Sequence, residues 1–265
     1  MLPESHLECA RLHLHKAAGT NASKKGPMTE RPSETSPMPG SEGRHLAPAK
    51  AVGRAPFRFS LSPENLAEAL ATMARERLPT ISLPCLEADD LQRLHRSCSR
   101  LTYREARPVV GSGERAVMQD FDLTNIIPAN CLVRDLARQL EGLAARAVER
   151  LSTPLLDSPP LFDDLIVQRY PKGSRGITPH RDHLRYTGLV ALMTVSGCAR
   201  LFTCEDRAGT AAEEVDISPG RLVLMPAPGF AQRGDRPFHF LKDVTRTRIS
   251  LGLRHDTWAG DEERS

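Results

Sequence analysis

Thr247-Arg248-Ile249-Ser250-Leu251-Gly252-Leu253-Arg254 alternates without a break. Successive side chains of an extended chain point to opposite sides, so Ile249, Leu251 and Leu253 share one face. Arg248, Ser250, Gly252 and Arg254 share the other. The first face is suited to a core. The second, if it looks into a closed barrel, carries two guanidinium groups that are costly unless an anion meets them. The planar fork of arginine suits a carboxylate, and a dicarboxylate would satisfy both ends. The other reading is an edge strand with one face in water, where such alternation is ordinary.

Upstream of this stretch the pattern is also that of strands. Residues 165–170 are apolar and β-prone, and 189–195 form a continuous apolar run, as in a strand buried on both faces. Residues 200–203 and 221–225 follow, the second behind the turn signal Ser218-Pro219-Gly220, and 238–240 complete the set. Before residue 164 the periodicity is helical. Ser62-Pro63 offers a hydroxyl cap with proline at the first helical position, and Leu66, Ala69, Leu70 and Met73 follow at helical spacing. Residues 79–83 suit a short strand. Glu87, Asp89 and Asp90 form an acidic first turn for a second helix carrying Leu91 and Leu94. Leu132, Leu136, Leu140, Leu143, Ala147 and Leu151 make the stripe of a third. Helices first, then many short strands, gives an α+β chain whose β part is a sandwich or jelly roll.

The 265 residues carry 36 basic and 33 acidic side chains, a net charge of +3. Residues 1–54 hold 8 Lys/Arg and 5 Asp/Glu, so residues 55–265 hold 28 of each and present no overall basic footprint for nucleic acid. Residues 1–53 are rich in Ser, Pro, Gly, Lys and Glu and read as a disordered tail. Residues 54–161 read as a supporting region of helices and strand, 162–258 as the core, and 259–265 as a second tail. Cys9, Cys85, Cys98, Cys131, Cys198 and Cys204 show no C-x-x-C pair and read as reduced thiols. No apolar run reaches the roughly 18 residues of a membrane helix, and no secretory pattern opens the sequence, so a cytoplasmic location is expected.

Two further groups carry chemistry. In His180-Arg181-Asp182 the histidine and aspartate stand two apart, on one face of an extended chain, where both can reach one ion. His239 lies between Phe238 and Phe240. H-x-D alone occurs by chance in many proteins, and a lone histidine among aromatics is more often packed than ligating. Order and spacing change that weighting: two histidines and a carboxylate are followed, nine residues after His239, by Arg248-x-Ser250.

With Gln168-Arg169-Tyr170-Pro171-Lys172-Gly173, the stretch Ile177 to His183, Pro219-Gly220, His239 and Arg248 to Arg254 in this order, the sequence resembles the Fe(II)/2-oxoglutarate-dependent dioxygenase superfamily. It is most similar to the AlkB-like branch. The resemblance implies a double-stranded β-helix, a jelly-roll core with the N-terminal helices packed against it. It implies iron(II) held by His180, Asp182 and His239, with O2 and 2-oxoglutarate as cosubstrates. Arg248 and Ser250 would bind the far carboxylate of 2-oxoglutarate, supported by Tyr170, and Arg254 would stand near the metal end. Gln168 falls where that branch often has asparagine. His183 and His255 adjoin the motifs without matching a required position.

The activity so implied is hydroxylation or oxidative demethylation with release of succinate and CO2. The expected substrate is a small molecule. Nucleic acid ranks lower, because aromatics total 5% and Arg104 to Asp122 contains only Phe121 to stack a base. An AlkB-like nucleic-acid or protein demethylase or hydroxylase is the alternative. A non-catalytic jelly-roll binding protein is the third reading, opposed by the intact ligands. Oligomeric state is not legible.

Overall fold

The computed structural model describes residues 55–257. The tails expected over 1–53 and 259–265 lie outside the described residues. Three helices form where the apolar spacing places them. α1 (Pro63–Glu76) opens at Ser62, whose Oγ accepts a hydrogen bond from the Asn65 N–H at 3.2 Å. It closes at Arg77, which adopts the left-handed conformation. α2 (Ala88–Cys98) starts with Asp89 and Asp90 at the positive end of the helix dipole. Asp90 is buried, accepts the Arg58 N–H at 2.8 Å and pairs with Arg93 at 2.5 Å. α3 (Leu132–Val148) buries Leu136, Leu140, Leu143 and Ala147, and ends before Leu151.

Eleven strands follow among the described residues: β1 (Ile81–Pro84), β2 (Arg104–Glu105), β3 (Val109–Val110), β4 (Val117–Asp120), β5 (Asp122–Thr124), β6 (Asp164–Tyr170), β7 (Gly176–His180), β8 (Tyr186–Cys204), β9 (Glu213–Val215), β10 (Arg221–Pro226) and β11 (Phe238–Asp256). All their pairings are antiparallel. The apolar runs at 189–195 and 200–203, expected as two strands, are one continuous β8. The segments at 238–240 and 247–254 are likewise the two ends of β11.

Both long strands bend. Gly197 in β8 has φ +90°, and a Cβ there would lie 2.2 Å from the Thr247 carbonyl oxygen, so the bend requires glycine. Opposite it, the β11 register shifts between Lys242 and Arg246 and again before Ile249, as bulges do when they turn a strand. Each strand therefore serves two sheets. The second half of β11 pairs with β6 on one side and the first half of β8 on the other; β5 and β2 extend that sheet past β6, and β10 and β1 extend it past β8. The first half of β11 lies between β7 and the second half of β8, with β4 and β9 beyond. This is a jelly roll.

The larger sheet turns its outer face to the helices. Leu165, Val167, Ala191, Met193, Leu222, Leu224, Leu251 and Leu253 join Leu66, Leu70, Met73, Leu94, Leu136 and Leu140 in one core. Burying each such side chain contributes about 1.5–3 kcal/mol. A second, smaller core holds Phe121, Leu123, Tyr170, Leu201, Val215, Val223 and Leu241. No helix among the described residues is long and apolar enough to cross a membrane.

Candidate functional site

His180 is the last residue of β7, and β7 pairs with β11 so that His180 stands directly opposite His239. The register thus makes neighbours of two histidines 59 positions apart in sequence. Their ring centroids are 4.3 Å apart. Each ring turns Nδ1 to the carbonyl two residues before it, Thr178 O at 3.0 Å and Pro237 O at 3.3 Å. That contact orients the ring and leaves Nε2 free. Asp182 lies just past the strand, with Oδ2 3.8 Å from His239 Nε2 and Oδ1 3.2 Å from an Arg254 nitrogen.

Burial, and then the neighbouring His239, push the His180 pKa down, toward the neutral imidazole a metal ligand requires. Burial alone would raise the Asp182 carboxyl; the Arg254 guanidinium, then His239 and His180, hold it below the usual carboxylate range.

As placed, no three His, Cys, Asp or Glu side chains among the described residues close into a coordination sphere. The chemistry of the donors nevertheless suits a divalent ion: two imidazoles and one carboxylate are a ligand set for iron(II). Asp182 Oδ2 stands 3.8 Å from His239 Nε2.

The inner face of β11 leads away from this cluster. Arg248 is 3% exposed and Ser250 2% exposed, while Ile249, Leu251 and Leu253 point into the helix-backed core. The structure therefore decides between the two readings of the alternation: the strand is interior on both faces. Arg248 Nη1 donates to Ser250 Oγ at 2.7 Å and Nη2 to Thr194 Oγ1 at 2.8 Å. Its Nε has no partner, and no carboxylate among the described residues pairs with it. Burial pushes this guanidinium down to about 10.

Tyr170 is opposite Arg248 in the β6 register and Gln168 is opposite Ser250; the guanidinium carbon lies 5.6 Å from the Tyr170 ring centre. Gly252 keeps the space beyond clear. A Cβ there would come 2.7 Å from Ile166 Cγ2 and 2.9 Å from Arg254 Nη1.

Arg254 ends the row, and its anion is already present. It faces Asp182 at 3.2 Å and Asp164 at 3.9 Å, and lies over the Tyr186 ring at 5.1 Å. His255 turns away to Asp163 at 3.0 Å, and His183 Nδ1 accepts the Arg185 N–H at 3.2 Å. Sequence reasoning passed over Thr194 and Arg236. Thr194 was detectable as the polar residue in the otherwise apolar run 189–195. Arg236, whose Nη1 donates to the Asp182 carbonyl at 2.5 Å, carried no sequence signal.

No family model matches the sequence, and no curated protein does. Solved structures are similar. A prolyl hydroxylase from Trichoplax adhaerens, in complex with a hypoxia inducible factor oxygen degradation domain peptide fragment, superposes with TM-score 0.54 at 14% identity, over 77% of this chain and 94% of that one. The fold is shared with a prolyl hydroxylase. Looser likenesses are an oxidoreductase of the 2OG-Fe(II) oxygenase family from Burkholderia pseudomallei (TM-score 0.47, 14% identity, 77% of this chain and 96% of that one) and OsALKBH1 (TM-score 0.43, 13% identity, 67% and 98%). The expected jelly roll is thus met twice, in the strand pairing and in the T. adhaerens hydroxylase.

Proposed function

We propose that this chain is an iron(II)- and 2-oxoglutarate-dependent dioxygenase that hydroxylates, or demethylates through hydroxylation, a small-molecule substrate. One observation carries the reading. Arg248 is a buried guanidinium with two neutral partners and no carboxylate among the described residues. It lies on the strand face that runs to Arg254, and Arg254 holds Asp182 beside the two histidines. A buried cation without an anion is costly. A carboxylate ligand would meet that demand.

In this reading His180, Asp182 and His239 hold iron(II). Arg248, with Ser250 and Tyr170, receives the far carboxylate of 2-oxoglutarate, and Gln168 flanks it. Arg254 keeps Asp182 ionised and aimed. Bound iron(II) supplies O2 activation coupled to decarboxylation of 2-oxoglutarate, giving succinate, CO2 and an oxidised C–H bond. The protein's own part is to orient the cosubstrate, to keep His180 neutral and to wall the reaction off from water. The even charge balance beyond residue 54 and the scarcity of aromatics support a small-molecule substrate over nucleic acid. The scattered cysteines, with no C-x-x-C pair, support a reducing compartment, the cytoplasm.

The test is calorimetric titration of 2-oxoglutarate with manganese(II) standing in for iron(II), followed by assay of succinate release with iron(II) and O2. Binding that needs the metal and weakens roughly a hundredfold in Arg248→Leu is expected. A wild-type protein that ignores 2-oxoglutarate would overturn the reading.

A further inference from the structure

A cleft of about 310 Å³ is lined by Arg77, Arg181, Arg233 and Arg236, with Pro79, Pro226 and Pro237 also in its lining. Asp235 is the one carboxylate among its lining residues. Asp235 pairs with Nη2 of Arg233. The Nε and Nη1 atoms of that same Arg233 are buried with no protein partner.

The other three arginines make no ion pair among the described residues, although Asp182 lies near enough to Arg236 to favour its charge. Arg236 donates to the Asp182 backbone carbonyl, and Arg181 lies over the Phe238 ring at 4.0 Å. Neither these two nor Arg77 lies within ion-pair distance of a carboxylate among the described residues. Burial, and then the nearby Arg77, lower the Arg233 pKa.

We propose that this cleft binds a phosphate group, and that the group belongs to a small phosphomonoester presented to the His180–Asp182–His239 cluster. The anion site stands on its own residues; only the word substrate rests on the oxygenase reading above. Four arginines and one carboxylate are among the residues that line the cleft. A single substrate carboxylate would leave most of that charge unanswered. A phosphomonoester brings up to about two negative charges and three acceptor oxygens, which arginine forks match.

The cleft also adjoins the cluster covalently. Arg181 sits between His180 and Asp182 in sequence, and Pro237 stands two residues before His239. A phosphate held there fixes the rest of a small molecule over the metal ligands. Nucleic acid fits less well. No aromatic residue is among those lining the cleft, and the Phe238 ring that follows Pro237 is covered by Arg181 and by Arg207 at 5.7 Å.

The experiment is calorimetric titration of the full chain with inorganic phosphate at low ionic strength, with acetate and a single-stranded oligonucleotide as the other arms. Arg77→Gln and Arg233→Gln should each weaken phosphate binding about tenfold or more. Arg100→Gln, an exposed change elsewhere, and Arg248→Leu should leave it unchanged. Because Arg77 is exposed, its variant keeps the fold testable if Arg233→Gln does not survive. Absence of phosphate binding would overturn the proposal. So would binding lost only in Arg248→Leu, equal binding of acetate, or an oligonucleotide held more tightly than phosphate through the same arginines. Titrating the same proteins with 2-oxoglutarate keeps the two readings apart. Arg77→Gln should bind it normally, and a wild type that binds phosphate but not 2-oxoglutarate defeats the oxygenase reading alone.

Discussion

The two faces of β11 share one backbone and answer to different demands. Outward, Ile249, Leu251 and Leu253 are sealed against the helices, at 5%, 0% and 0% exposure. Inward, Arg248 and Ser250 are buried as deeply, at 3% and 2%, in surroundings that leave the Arg248 charge without a counter-ion among the described residues. Equal burial therefore carries opposite meaning. The outer face is satisfied by the protein itself, whereas the inner face leaves Arg248 with two hydroxyl partners and an unpartnered Nε.

The largest expected effect asks whether the inner face is a site at all. His180→Ala should bring succinate release to background and abolish metal-dependent binding of 2-oxoglutarate, and a chelator should do the same to the wild type; turnover surviving in the variant would place the metal elsewhere. Next comes the outer face. Leu251→Ala should cost about 2–5 kcal/mol of stability in urea unfolding while the surviving folded protein binds 2-oxoglutarate as before. Arg248→Leu should show the reverse pattern. Its affinity for 2-oxoglutarate should fall by about 2–3 kcal/mol, roughly a hundredfold, with stability unchanged or raised, because an unpaired buried cation has been removed. A variant that loses stability instead would make Arg248 a structural residue. The smallest effect is that of Thr194→Val, which removes one hydroxyl from the Arg248 guanidinium; 2-oxoglutarate binding should weaken by about 1 kcal/mol, read in the same titration.

The alternation at 248–254 was legible because a strand with two buried faces of different chemistry writes that difference into period two. The helices were legible from their stripes and, for α1, from the Ser62-Pro63 cap. β2 and β3 were not, since each has two residues, all exposed, and so no periodicity to read. β7 was hidden by its own composition: Gly176 and Pro179 signal a turn, yet the segment pairs with β11 and β4. The unity of β8 was hidden by Gly197, which reads as punctuation and acts as a bend. Within the site, His180-x-Asp182 could be seen as a pair, but its meeting with His239 depends on a register that no local pattern encodes. The arginine cleft was concealed by counting. A balance of 28 basic and 28 acidic side chains beyond residue 54 reports no arrangement, and the cleft gathers its arginines from three separate segments.

The central position of β11 bears on how the protein is made. Its two halves lie in the middle of both sheets, between β7 and β8 in one and between β6 and β8 in the other. During synthesis, then, neither sheet can close until its own half of β11 has left the ribosome, the larger sheet last, although the helices and the apolar runs of β6, β8 and β10 emerge well before. Until that moment β6, β7 and β8 present unpaired edges. Nascent chains halted before Phe238 should therefore be held by chaperones and cleaved readily by protease, and chains released past Asp256 should turn resistant in a single late step.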